Sequence, residues 1–436
     1  MKKNHYTIQV GKCGIQLGHE YWKHICNDLF VNPDGSQNPI EQKTKNINKN
    51  LFFEENSTGK LTPRTILFDL EPRILAKIKT STFFRFYPNE NLIIDNQSAG
   101  NNWSNGYIKA NEHRQKLEEI IRKKIEKCDQ MPTFSIFHSL VGGTGSGSGS
   151  YILELIKDEF LAKFVTSYSI IPNQEQNSDT VVQPYNSILS IRWLTLYCDS
   201  VIFFENASME KIVNYENKNK KTNFSEINSL ISKILTIINF STLNFDICKE
   251  EPENLFIPLI PTPNLHFFVA GVSNYYPRGK KNRLLIKKTD SIKTMIFDRS
   301  SSVSFEQGKL ISSFHFLNRD LLKMDIYQAL EKYYKENKIN FIDWAPPSIH
   351  YSNSTNFLFK EKNKKVEVSL FNHTSIKSIF IKILLQYDLL RKRNAFLNNY
   401  LKEFKFINGL ELFQDARENI LSVIDEYDRA ESNIFP

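Results

Sequence analysis

The run Gly142-Gly143-Thr144-Gly145-Ser146-Gly147-Ser148-Gly149 is where the chain's chemistry is most concentrated. Glycine lets backbone N–H groups approach an anion closely and adopt positive φ. Thr144 and Ser146 add hydroxyl donors. A helix beginning after the run adds unsatisfied N–H groups and a positive dipole end. Together these suit the phosphates of a di- or triphosphate. A flexible Gly/Ser linker has the same composition, but apolar segments flank this run tightly on both sides. A P-loop needs a Lys after its last glycine, and none follows here. The dinucleotide-binding GxGxxG spacing fails as well, since the glycines fall at 143, 145, 147 and 149.

Strands and helices must hold such a run in place, and the pattern supplies them. Tyr6–Val10 reads as a strand, followed by a glycine-bearing turn and a helix over Leu17–Leu29. Thr65–Leu70 is a second strand, ending in the carboxylates Asp69 and Glu71. Glu112–Lys127 carries Leu117, Ile120, Ile121 and Ile125 at helical spacing. Phe134–Leu140 is a strand leading into the glycine run, and Tyr151–Phe164 a helix leading out of it. Val165–Ile171 and Ser200–Phe204 are further strands. Alternating strands and helices predict a parallel sheet covered on both faces. Phe224–Asn244 has Ile227, Leu230, Ile231, Ile234, Leu235 and Ile238 at helical spacing, which predicts a helix buried between domains. Strands His266–Val272 and Ser348–Tyr351 follow, with basic loops at Tyr275–Lys288 and Phe359–Lys365. Two helical stripes close the chain, one through Ile376, Phe380, Ile383, Tyr387 and Leu390, the other through Ile420, Val423, Ile424 and Tyr427.

A chain of 436 residues predicts two packed domains and an appendage. Hydrophobic residues at 41% and charged residues at 24% place it among globular proteins. The net charge of +8 is spread along the chain, and no zinc-finger or RNA-binding signature accompanies it, which argues against a nucleic-acid partner. The lysine- and asparagine-rich clusters Lys43–Lys49 and Tyr215–Lys221 read as solvated loops. The five cysteines are odd in number and form no CxxC pair, which predicts reduced thiols in a cytosolic protein. No apolar run approaches 20 residues, and the N-terminus lacks a signal-like stretch, so neither a membrane span nor secretion is expected.

The GGTGSG form resembles the signature of the tubulin and FtsZ superfamily. Further motifs agree in order. Gly11-Lys12-Cys13-Gly14-Ile15-Gln16-Leu17-Gly18 resembles the first tubulin loop. Asp69-Leu70-Glu71-Pro72, Ala99-Gly100-Asn101-Asn102-Trp103 and Val181-Val182-Gln183-Pro184-Tyr185-Asn186 resemble three others. Pro172-Asn173-Gln174, Val181–Ser187, Leu259–Phe267, Phe341–Ile349, Asn372–Ser375 and Tyr387–Phe396 are similar to the gamma branch. An ending at Pro436 without an acidic tail suits that branch too.

The resemblance implies an α/β, tubulin-like fold: a Rossmann-like parallel-sheet GTP-binding domain over 1–205, a central helix and mixed intermediate domain over 206–372, and a C-terminal helical region over 373–436. It also implies residue roles. Gly142, Gly143, Thr144, Gly145, Ser146 and Gly147 would cradle the α- and β-phosphates of GTP or GDP. Ala99, Gly100 and Asn101 would approach the γ-phosphate. Asp69 and Glu71 would hold Mg2+, directly or through water. Gly11 and Ser139 join the nucleotide set, Cys13 and Gln16 would line base and ribose, and Asp179 and Gln183 would face the ribose. Asn206 and Asn228 would hydrogen-bond the guanine edge, and Phe224 would stack on it. Taken singly, Asn206 and Asn228 read as cap or turn residues, Phe224 as core and Cys13 as a small buried residue; taken together, in motif order, the site reading prevails.

Three departures stand out. Lys12 replaces a family Gln beside the β-phosphate and metal. At ~4 Å a Lys gains ~4 kcal/mol against a unit negative charge at an effective dielectric of ~20, before desolvation. It would either tighten phosphate binding or pair with Glu71 and displace the metal. Ile15 replaces a family Asn. The loop Leu243–Asn254, which in polymerising tubulins reaches the next subunit's nucleotide, has lost its family pattern. Its carboxylates Glu250, Glu251 and Glu253 read as an exposed acidic loop. The implied protein is a gamma-tubulin that nucleates microtubules at a cytoplasmic microtubule organising centre, a centrosome or spindle pole body. Its partners would be gamma-tubulin complex proteins, alpha/beta-tubulin and its own lateral neighbours. It would be at most a weak, assembly-dependent GTPase. A true GTPase and a lattice-forming tubulin are the other two readings.

Overall fold

The computed structural model describes residues 4–37, 49–73, 78, 80–83, 86–172, 181–217, 222–241, 252–273, 301–303, 308–317, 340–353, 366–401 and 409–432. The predicted loops 275–288 and 359–365 lie outside these, as do residues 43–48, 218–221 and 243–251. Contacts divide the chain into two compact units, Met1–Val201 with Ile379–Ser422 and Ile202–Ser378 with Val423–Pro436.

The first unit is built on strand β1 (His5–Val10). A short antiparallel hairpin, β2 (Phe53–Glu55) and β3 (Leu61–Pro63), stands apart from its sheet. Strand β4 (Thr65–Asp69) pairs with β1 in parallel on one side, and β5 (Leu92–Ile94) lies beyond β4. On the other side β6 (Thr133–Ser139) pairs with β1 and then with β7 (Val165–Ile171), again in parallel. These strands are buried on both faces, so they read as continuous runs rather than alternating ones: all seven residues of β7 are buried. Polar side chains inside the sheet pair with one another. The Gln9 amide donates to the Thr65 hydroxyl at 3.0 Å, and Thr7 and Thr65 hydroxyls meet at 3.0 Å.

Helices follow the strands directly. Helix α1 (Gly11–Leu29) starts on the residue after β1. The predicted turn before Leu17 is therefore one residue, Gly11, whose φ of 69° redirects the chain. Helix α2 (Trp103–Glu112), unpredicted, precedes α3 (Arg114–Glu126). Helix α4 (Gly149–Asp158) stops short of the predicted Phe164, with Leu161 at a φ of 48° beyond its end. Helix α5 (Gln183–Tyr197) was also unpredicted.

In the second unit, strand β8 (Ser200–Glu205), which straddles the division, is followed by α6 (Asn206–Asn217) and α7 (Phe224–Ser241). The predicted stripe of α7 is buried from Ile227 through Ile238. Its sheet contains β9 (Phe267–Ser273), β10 (Leu310–Leu317), β11 (Ser348–Asn353) and β12 (Glu367–His373). Strand β12 lies antiparallel between β9 and β10, and β11 pairs in parallel with β10 at the edge. Helices α8 (Lys377–Lys392), α9 (Leu397–Leu401) and α10 (Gly409–Glu431) complete the chain. Within the first unit, Tyr185 meets the rings of Tyr387, Tyr400 and Phe413 edge-on, at centroid distances of 5.7, 5.4 and 5.3 Å. No helix among the described residues is long and apolar enough to cross a membrane.

Candidate nucleotide-binding site

Parallel pairing puts the C-terminal ends of β1, β4, β5 and β6 along one edge of the first unit's sheet, because Val10 lies opposite Phe68, Asp69 opposite Ile94 and Gln9 opposite Phe137. Crevices at that edge are where open α/β sheets bind ligands. Residues Gly11–Gln16, Asp69, Glu71, Ala99–Asn101 and Ser139–Gly147 all follow those strand ends.

The glycine run is not a loop with positive φ. Gly143 (φ −56°, ψ −45°) already has helical geometry, and Thr144–Ser148 forms a wide helical turn that runs into α4. None of its glycines has positive φ. Their reason is close approach. A Cβ on Gly147 would sit 2.0 Å from the Trp103 carbonyl oxygen, and one on Gly143 2.6 Å from the Asn102 nitrogen. Gly142 alone in the run has open space, with nothing within 4 Å of a Cβ built there. The run is therefore a helix N-terminus pressed against α2 and open at its tip, which presents first-turn N–H groups to an anion.

His138 fixes this tip from below. Its Nδ1 lies 2.9 Å from the Gly145 carbonyl, so Nδ1–H is the donor, and Nε2 accepts from the Ser167–Ser169 hydroxyl pair, whose oxygens lie 3.0 and 2.9 Å from it and 2.8 Å from each other. Burial lowers its pKa to about 4, keeping it neutral. The histidine in the strand FSIFHSL, just before the glycine run, was the available signal, and the sequence pattern alone assigns it no role.

Above the tip lies the turn Ala99–Asn102, closed by a 3.0 Å bond from the Asn102 N–H to the Ala99 carbonyl. Both central residues have positive φ, Gly100 at 57° and Asn101 at 56°. Asn102 caps α2 by accepting from the Ser104 N–H at 2.9 Å. Gly100 and Asn101 are exposed, while Ala99 is buried. Gly100 donates its N–H to Ser98 Oγ at 3.2 Å, and Ser98 donates its hydroxyl to Glu71 Oε1 at 2.7 Å. The turn is thus wired to a carboxylate.

The second carboxylate, Asp69, is only 2% exposed. Its Oδ1 accepts from the Glu71 N–H at 3.2 Å, and its Oδ2 has no hydrogen-bond partner. Burial raises its pKa to about 6; the Glu71 charge adds to the rise and the Lys12 ammonium opposes it. A buried, unpartnered, hard carboxylate oxygen beside a second carboxylate fits Mg2+, which takes one or two carboxylates plus phosphate oxygens and water. No group of three or more His, Cys, Asp or Glu able to hold a metal occurs among the described residues, so phosphate and water would have to complete its shell. Lys12 is exposed in the first turn of α1. Burial pushes the Cys13 thiol up to about 12, so it is unreactive at neutral pH. Gln16 and Gln183 are half-buried, and Asp179 lies outside the described residues.

Asn206, Phe224 and Asn228 belong to the second unit. Asn206 opens α6 directly after β8. Phe224 opens α7 and is 72% exposed, which excludes the reading of it as core. Asn228 is half-buried one turn along the same face. Glu253 is buried, so it is not part of an exposed acidic loop.

Residues 4–214 match the family described as Tubulin/FtsZ family, GTPase domain, and residues 263–384 match the tubulin C-terminal domain. The chain belongs to the tubulin family. Its α/β architecture is the tubulin-like one, and its GTPase domain implies guanine-nucleotide binding. The matched GTPase stretch contains the glycine tip, the 99–102 turn and both carboxylates.

Proposed function

We propose that the chain is a gamma-type tubulin that binds guanine nucleotide and nucleates microtubules at an organising centre. In this reading the N–H groups at the glycine tip hold the α- and β-phosphates. The turn Ala99–Asn101 meets the γ-phosphate, since it lies directly against Gly143. Asp69 and Glu71 hold Mg2+, which when bound offsets phosphate charge. Asn206 and Asn228 read the guanine edge while the exposed Phe224 ring stacks on the base. Cys13, Gln16, Asp179 and Gln183 complete the ribose and base surroundings.

The observation that carries nucleotide binding is the open space at Gly142, at the tip of a helix whose other glycines are packed shut. The gamma assignment is supported by the motifs at 181–187, 259–267, 341–349, 372–375 and 387–396. Nucleation itself would proceed by gamma-tubulin complex proteins aligning copies of this chain, pre-paying the entropy of assembling the first alpha/beta-tubulin subunits. Hydrolysis is slow in the isolated chain. Glu253, on the segment after α7, is buried.

Two measurements test this. Protein purified without added ligand is denatured and its nucleotide identified by chromatography; guanine nucleotide at near one per chain is expected, and folded protein that refuses it at millimolar supply sinks the site. Addition of the protein with its adaptors to alpha/beta-tubulin should shorten the assembly lag. Labelling along whole filaments instead of at one end would favour a lattice-forming tubulin.

A further inference from the structure

The motif asparagine Asn186 received no role in binding, yet its amide is the most fully engaged group near the phosphate edge. It is completely buried in α5. Its Nδ2 donates to the Asn101 carbonyl at 2.8 Å and to the Val141 carbonyl at 2.6 Å. Its Oδ1 accepts from the Trp103 N–H at 2.9 Å and from the Tyr400 hydroxyl at 2.7 Å. Two donors and two lone pairs are all used. The amide orientation is fixed, because two carbonyls face the nitrogen and an N–H faces the oxygen.

These partners are not scattered. Asn101 and Trp103 flank Asn102 at the end of the positive-φ turn, and Val141 directly precedes the open Gly142. One side chain therefore sets the spacing between the turn and the glycine tip. Its fourth partner brings in a distant segment, and two more bonds tie that segment down. Asn102 Nδ2 donates to the Asn399 carbonyl at 3.1 Å, and the Tyr185 hydroxyl donates to the Ala395 carbonyl at 2.9 Å. The segment starts in a turn where Asn394 and Phe396 both hold positive φ, at 47° and 59°. A bulky aromatic in that region is held there by its surroundings. Phe396 is also 49% exposed.

We infer that Asn186 is a positioning residue coupling the γ-phosphate turn to the surface segment 395–400 through Tyr400. The inference rests on the proposed role of residues 99–101 toward a third phosphate. A third phosphate that orders the turn orders Asn101 and Trp103, hence the amide, hence the Tyr400 hydroxyl. By reciprocity, any constraint that holds 395–400 in place favours triphosphate over diphosphate.

Tyr400→Phe is the decisive variant, since it keeps the ring packed against Tyr185 and Phe413 and removes one donor. Affinities for a non-hydrolysable GTP analogue and for GDP are measured on the full chain, with amide hydrogen exchange of residues 395–400 in each state. In the wild type, exchange there is slower with the triphosphate than with the diphosphate. In Tyr400→Phe that difference disappears and the triphosphate preference falls about fivefold, the equivalent of one net hydrogen bond. A purely structural role would lower both affinities together. Equal losses, unchanged preference, or exchange at 395–400 indifferent to the third phosphate overturns the coupling while leaving nucleotide binding intact. Binding of neither nucleotide by the wild type overturns the nucleotide reading and the coupling with it.

Discussion

Two regions with proposed roles toward nucleotide, one in each unit, are built in opposite ways. At the glycine tip of the first unit the backbone would supply the chemistry, and side chains hold it: His138 under Gly145, Asn186 behind Asn101, Ser98 between Gly100 and Glu71. At the start of α7 in the second unit the side chains themselves are presented, with Phe224 exposed to solvent. A backbone site is intolerant of change because its geometry is the fold's own geometry. A side-chain site can be stripped without disturbing the fold.

That contrast can be broken most forcefully at Gly147. A Cβ there would sit 2.0 Å from the Trp103 carbonyl, so Gly147→Ala is expected to cost about 3 kcal/mol of stability and to abolish nucleotide binding. Gly142→Ala, with open space around it, should melt within about 0.5 kcal/mol of wild type and still bind nucleotide more weakly. Equal melting of the two variants would remove the distinction between packed and open glycines.

His138 sharpens it by pH. Its folded pKa of about 4 lies below the unfolded value, so its stabilisation is complete above pH 6.5 and is lost as pH falls toward 4. Urea titrations at pH 7.5 and pH 5 should therefore differ by about 2 kcal/mol less in His138→Gln than in wild type. An unchanged difference would mean the imidazole is not held neutral.

On the side-chain end, Phe224→Ala should leave stability within about 0.5 kcal/mol and weaken guanine-nucleotide affinity about tenfold, the worth of one stacked base. Loss of fold in that variant would contradict the exposed position. Smallest is the effect of Lys12→Gln. Removing the cation near Asp69 should make affinity about threefold more sensitive to a magnesium chelator, because the fixed positive charge no longer offsets the carboxylate. A variant less sensitive to the chelator than wild type would instead mean that Lys12 and the metal act together.

The strand ends were legible because the motifs fall on them, and the α7 stripe was legible because its apolar residues from Ile227 to Ile238 recur at helical spacing. Other elements hid for physical reasons. Helix α5 is buried nearly all round from Pro184 to Leu194, so it carries no amphipathic period. Helix α2 has Gly106 at its centre, a poor helix former, and a Cβ there would lie 2.1 Å from the Gly143 carbonyl. Gly106 and the glycine run explain each other, and neither can be understood from its own segment. The run was read as a permissive loop for the same reason: composition reports freedom, whereas here it reflects lack of room. Asn186 was visible as a motif letter, but its partners lie as far as 214 residues away in sequence.

The Tyr400 hydroxyl has a consequence for biosynthesis. A ribosome that has released residues 4–214 has delivered the entire matched GTPase domain, yet not the donor that completes the Asn186 clamp. The nascent domain can form its sheet early, since β1 and β4–β7 all lie within its first 171 residues. Under the proposed coupling, the turn Ala99–Asn102 lacks its link to the 395–400 segment until residue 400 has been made, so its nucleotide preference would be set only after the matched domain itself has been synthesised.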